Sequence, residues 1–238
     1  MQETLVSRLQ LIFTDAFTFY MGNLRQIAAL CLPFLFAISL FQVVLNKTYP
    51  STPMAFFAPL ILSMIVYPIY MAALIQLMAR RARQEQPKNS ELITASIPQW
   101  GALLMLKIVV SFLIVAGFGV MIVPGIWLWG RLAFAEFYLV LFGMVPREAL
   151  RKSLLATKGH LGLILALLFL TTIPILIGGL IADQMIRTLM PNLLFEFLFT
   201  TVWAMLELFV HVTLFRAFMD VVAGEVKPGD PLTPNRTN

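Results

Sequence analysis

The chain has 238 residues, 60% apolar or aromatic and 12% charged, with a net charge of +5 and a mean hydropathy of +0.87. Soluble domains carry about 25% charged residues; half that amount cannot wet the surface of a chain this size, which excludes a soluble globular domain, a disordered chain and a coiled coil. The one cysteine, Cys31, excludes an intrachain disulfide scaffold. What remains is an all-α polytopic membrane bundle, because the apolar segments are continuous rather than alternating as in a β-barrel.

Residues 1–22 place Leu5, Leu9, Ile12, Phe13, Ala16, Phe17 and Tyr20 at three- and four-residue steps, with Glu3, Arg8 and Asp15 at other positions. This pattern predicts an N-terminal amphipathic helix lying in the membrane interface. A six-helix transmembrane domain is predicted over 23–219, with spans at about 26–45, 55–79, 101–123, 125–145, 161–182 and 193–215. Pro68 and Pro174 fall inside spans two and five, where each removes a backbone hydrogen bond and kinks its helix. Val123-Pro124-Gly125 joins spans three and four with no polar loop. Pro124 cannot continue helix three and Gly125 permits a sharp reversal, so the pair predicts a tight helical hairpin. The segment 146–158 starts a helix at Pro146, with Glu148 favouring the helix dipole and Arg147, Arg151 and Lys152 directed at lipid headgroups. Residues 220–238, rich in proline and glycine, are predicted to form a disordered tail.

Orientation follows from the basic residues. Thirteen Lys and Arg fall in 1–25, 80–100, 146–160 and the tail; only Lys47 and Arg187 fall on the other side. That asymmetry puts both termini in the cytoplasm. The basic loops therefore set topology and meet membrane lipids, anionic ones included, and no nucleic-acid partner is expected.

The central stretch Pro124-Gly125-Ile126, then Arg131-Leu132 and Ala135, is followed by Glu148-Ala149-Leu150-Arg151-Lys152-Ser153 and Thr157-Lys158-Gly159-His160, and preceded by the basic run Ala79-Arg80-Arg81-Ala82-Arg83. This order resembles the YciC family of bacterial inner-membrane proteins and the wider superfamily that includes the membrane domain of some glycerophosphodiester phosphodiesterases. The resemblance implies a six-helix, multi-pass protein of the bacterial inner membrane, with a role in envelope homeostasis and no catalytic residues.

Charges inside spans carry most of what the sequence says about mechanism, because a charge at the bilayer centre costs about 2.5–3.5 kcal/mol unless it is paired or solvated. Lys107 lies roughly 9 Å from the cytoplasmic end of span three and Glu136 roughly 13 Å from that of span four. Since the two spans are hairpin partners, a Lys107–Glu136 ion pair is predicted. Arg131 is within reach of Glu196 or a lipid phosphate. Glu207 and His211 share a face of span six, where Glu207 either accepts a hydrogen bond from His211 or joins Lys107. Arg131, Lys107, Glu136, Glu207 and His211 are thus the ligand- or lipid-binding candidates. No phosphate loop, zinc spacing or nucleophile motif occurs, so no catalytic residue, metal or cofactor is expected. Two functions remain: a non-enzymatic protein for envelope or lipid homeostasis that binds lipid headgroups or a membrane-protein partner, and a small transporter or channel lined by the intramembrane charges.

Overall fold

The structure, a computed structural model, describes residues 5–189 and 192–222. Those residues are helical throughout, with no strand among them. Nine helices follow in order: α1 Leu5–Thr48, α2 Pro53–Ala82, α3 Asn89–Ser96, α4 Trp100–Val120, α5 Ile122–Leu132, α6 Ala135–Phe142, α7 Pro146–Ala156, α8 Leu161–Leu189 and α9 Leu193–Val222. A single 3-10 turn, Ile97–Gln99, joins α3 to α4. Six segments are long and apolar enough to cross a membrane: α1, α2, α3 with α4, α5 with α6, α8 to Ile186, and α9. Large side chains such as Phe56, Phe112, Val120 and Val123 are exposed on the outside of the bundle. That is the arrangement expected where lipid rather than water is the solvent.

The first expectation to be corrected is the separate interfacial helix over 1–22. Residues 5–22 continue into the first span as one helix of 44 residues, α1, with Pro33 inside it. At 1.5 Å per residue this helix is roughly 66 Å long, about twice the thickness of a hydrocarbon core. Its early apolar stripe is partly covered by protein, with Leu5 and Phe17 exposed. Ile12, Ala16 and Tyr20 are buried, Phe13, Phe17 and Tyr20 surround the Phe209 ring of α9 at 5.5, 6.3 and 5.7 Å, and the Tyr20 hydroxyl donates to the Met205 carbonyl at 2.7 Å. Two ion pairs fasten the same stretch: Arg8 Nε donates to Asp220 at 2.7 Å, and Arg216 Nε stands 3.3 Å from Asp15. Asp220 belongs to the last helical turn of α9 rather than to a tail; residues 223–238 of the predicted tail lie outside the described residues.

The α4–α5 hairpin forms as predicted, but its corner is Met121, the one residue in extended conformation between the two helices. Pro124 lies in the first turn of α5, where its missing N–H breaks no helical hydrogen bond. Gly125 does not make the reversal. It lets the helices touch: a Cβ on Gly117 would sit 3.0 Å from Gly125 Cα, and one on Gly125 would sit 2.5 Å from the Phe118 ring.

Span four, expected as one helix over 125–145, is two helices, α5 and α6, separated at Ala133 and Phe134. A break in an apolar bundle frees backbone polar groups that must find partners. Here α7 supplies them. Ser153 Oγ donates to the Arg131 carbonyl at 2.8 Å and accepts from the Phe134 N–H at 3.2 Å; Thr157 Oγ1 also reaches the Arg131 carbonyl, at 3.3 Å. Ser153, Thr157 and Ala149 are buried while Arg147, Arg151 and Lys152 are exposed, so α7 turns a small, polar face inward and a cationic face outward. Gly143, with φ of +63°, ends α6 in the left-handed conformation that only glycine adopts freely, and so lets the chain double back into α7.

Two outcomes check this packing. Gly117→Val should destabilise the protein by about 1–3 kcal/mol by forcing α4 and α5 apart, while Gly119→Val, whose added Cβ meets nothing within 4 Å, should leave the unfolding midpoint in detergent near wild type. Ser153→Ala, which strips the Arg131 carbonyl and Phe134 N–H of their shared partner, should cost about 1–3 kcal/mol in the same measurement.

Candidate functional site

The predicted Lys107–Glu136 ion pair is present. Lys107 Nζ on α4 stands 3.2 Å from Glu136 Oε1 at the start of α6. The antiparallel hairpin brings the two residues level, at nearly equal separations from its Met121 corner. The pair does not stand alone. The Tyr67 hydroxyl, on α2, donates to Glu136 Oε2 at 2.6 Å and lies 3.1 Å from His211 Nε2 on α9. Lys107 Nζ also sits 4.1 Å from the centre of the Tyr67 ring, a cation–π distance.

The directions of these bonds follow from the protons available. Glu136, paired with a lysine, accepts at both oxygens. Tyr67 has one proton and gives it to Glu136, so its oxygen accepts from His211, whose Nε2 carries the hydrogen. The result is a chain of donors from His211 through Tyr67 to Glu136, closed by Lys107, which draws α2, α4, α6 and α9 together. The carboxylate has a partner on each oxygen, so it can persist inside an apolar bundle.

Tyr67 is the member that sequence reasoning missed. It carries no formal charge and stands out only as a hydroxyl-bearing ring beside the in-span Pro68. Trp100, at the start of α4, donates its Nε1–H to the Ile65 carbonyl at 2.8 Å in the same turn of α2, so the region around Pro68 is a node of side-chain contacts.

Behind the network lies a cavity of about 330 Å³ lined by Ser63, Tyr67, Tyr70, Lys107, Glu207 and His211 among others. Ser63, Tyr70, Ala204 and Glu207 also line a neighbouring groove of about 440 Å³ between α1, α2, α8 and α9, which reaches Gln42, Asp183 and Thr200. A third hollow, of about 460 Å³, continues past Ser63 to Gln42, Asn46 and Thr52 near the α1–α2 turn. Trp203 closes one side of the groove, its indole seated against Gly178 and Gly179, where an added Cβ on Gly179 would lie 2.5 Å from Nε1.

The remaining candidates fall out differently. His211 joins Tyr67 rather than the side chain of Glu207. Glu207 makes neither of the two contacts expected for it, with His211 or with Lys107; it is exposed and lines both the cavity and the groove. Helical spacing puts Glu207 and His211 on one face, but Tyr67, arriving from α2, competes for the imidazole. Arg131 forms no ion pair with Glu196 or with any other described carboxylate. Its guanidinium lies 5.4 Å from the Trp127 ring, and its buried Nε has no hydrogen-bond partner among the described residues. Arg131 is therefore apart from the other four candidates. Among the described residues no three His, Cys, Asp or Glu side chains come together as a metal site.

No protein-family model, no curated protein and no solved structure matches the chain.

A double-mutant cycle on the central pair gives the expected outcome in numbers. Lys107→Met alone, leaving Glu136 short of its counter-charge, should destabilise more than Lys107→Met combined with Glu136→Gln. The coupling should amount to about 0.5–3 kcal/mol from unfolding in detergent. Tyr67→Phe should cost about 1–3 kcal/mol, because it removes a partner from Glu136 and from His211 in one step.

Proposed function

We propose that the protein is a non-enzymatic, multi-pass protein of the bacterial inner membrane, with both termini in the cytoplasm, that binds an amphiphilic lipid as part of envelope or lipid homeostasis. The observation that carries this reading is the groove between α1, α2, α8 and α9. Its wall carries Gln42, Ser63, Thr200 and Glu207, and the adjoining cavity, which shares Ser63 and Glu207 with it, is lined by Tyr67, Lys107 and His211. Its rim is apolar, with Leu176 and Leu180 both exposed. A surface of that kind suits a molecule with a polar head and an apolar tail, whose tail remains in the bilayer while the head replaces water in the groove. Arg131, an always-charged side chain with an unpartnered Nε stacked on Trp127, is a second place for an anionic headgroup. The exposed Arg147, Arg151 and Lys152 of α7 add generic attraction to anionic membranes. The basic-residue asymmetry and the resemblance to the YciC family support the orientation and the membrane.

One observation favours a second reading, a small transporter. Polar side chains (Gln42, Asn46, Ser51 and Thr52) continue the hollow from Ser63 toward the α1–α2 turn, which is the kind of lining a solute path needs. In that reading the Glu207 carboxylate, free of Lys107 and His211, is the ion or proton site.

Native mass spectrometry on gently extracted protein separates these. A lipid should remain bound to the wild type and be lost in Ala204→Phe, which fills the groove; loss in Arg131→Ala instead places the headgroup at Arg131. If wild type and both variants emerge equally free of lipid, and liposomes containing the wild type show a solute flux that Glu207→Gln abolishes, the lipid reading is wrong and the transporter reading stands.

A further inference from the structure

Another polar hollow lies away from the groove, where α1 passes the turn between α2 and α3. It has a volume of about 340 Å³ and is lined by Gly22, Asn23, Arg25, Gln26, Ala29, Arg81 and Asn89. Two of these residues are arginines and none is a carboxylate.

The charge around this hollow is unevenly matched. In the basic run of α2, Arg80 stands 3.6 Å from Glu91 and Arg83 stands 3.3 Å from Glu85. Arg81, between them, has no carboxylate among the described residues, and neither has Arg25. Arg81 is held by a neutral group instead: Gln26 Oε1 accepts from its Nε at 3.1 Å and from its Nη2. The same amide donates from Nε2 to the Pro87 carbonyl at 2.8 Å and to Asn89 Oδ1 at 3.3 Å. Gln26 thus fixes the guanidinium and the α2–α3 turn at once, without cancelling the charge. Nη1 of Arg81 has no partner among the described residues, and the exposed Arg25 lines the same hollow.

A pre-oriented guanidinium next to a second one, with no acid in the lining, matches an oxyanion of tetrahedral shape. Phosphate offers enough oxygens to meet both arginines, each through paired N–H donors, and its charge offsets theirs. From this geometry we infer that the hollow between α1 and the α2–α3 turn is a phosphate-binding site, with Arg25 and Arg81 as its ligands and Gln26 as the residue that positions Arg81. The phosphate comes either from an anionic lipid headgroup or from a soluble phosphate. The site does not rest on the groove.

The test uses full-length protein in a maltoside detergent, which brings no phosphate of its own. Calorimetric titrations use inorganic phosphate in one arm and short-chain phosphatidylglycerol in the other, with the matching diacylglycerol as the neutral control. Saturable binding to the wild type is expected in at least one phosphate arm and not with diacylglycerol. Arg25→Gln should weaken it about tenfold. Asn89→Asp, which keeps the acceptor for Gln26 but puts a carboxylate in the hollow, should abolish it. Arg151→Gln, which removes the same charge from α7, should bind as the wild type does. Binding of inorganic phosphate names a soluble source, and binding of phosphatidylglycerol alone names a headgroup. The proposal is overturned if neither phosphate probe binds saturably, or if Arg25→Gln and Arg151→Gln weaken binding equally, which is the mark of diffuse charge attraction.

Discussion

Glu136 is a carboxylate inside an apolar bundle, and the arrangement of four helices follows from keeping it satisfied. Desolvating such a charge is tolerable only with a counter-charge and hydrogen bonds in good geometry. Lys107 supplies the first from α4, Tyr67 the second from α2, and His211 completes the Tyr67 oxygen from α9. None of these partners is a neighbour of Glu136 in sequence. The ionic requirement of one residue in α6 therefore specifies how α2, α4, α6 and α9 sit together, a specification that non-directional apolar packing supplies only weakly.

The backbone obeys the same rule where span four breaks into two helices. Between α5 and α6 the Arg131 carbonyl and the Phe134 N–H are both met by Ser153. There a side chain from another helix replaces what water would provide elsewhere. Arg131 shows how the two halves of one residue can differ: its carbonyl is a fixed part of the α5–α7 joint, while its guanidinium keeps a buried nitrogen without a partner.

The groove and the hollow at Arg25 and Arg81 are chemically unlike. The groove beside the network is lined by acidic and neutral groups, and its one lysine is already paired with Glu136. The hollow at Arg25 and Arg81 is cationic, and its one rigid ligand is held by an amide instead of an acid. A single lipid cannot use both in the same way. The first suits a polar head of mixed character, the second a phosphate.

The periodic and compositional signals carried much of the architecture. Continuous apolar segments determine six membrane-crossing stretches, the proline between spans three and four marks a hairpin, and nearly matched depths in those two spans pair Lys107 with Glu136. Those features were legible because they depend on spacing along one or two neighbouring helices. What only the tertiary structure decided depends on partners distant in the chain. The stripe on residues 5–20 is real in the sequence, but a stripe does not say what covers it, and α9 covers its Ile12, Ala16 and Tyr20 part. The break at Ala133 and Phe134 is invisible in an apolar run, because it is stable only once Ser153 arrives to satisfy the opened backbone. Tyr67 has no charge to draw attention, yet it takes the histidine that helical spacing had assigned to Glu207. Local pattern determines which faces are apolar and where a helix can end; which polar groups meet is settled when distant helices compete for the same few donors and acceptors in surroundings that offer no water.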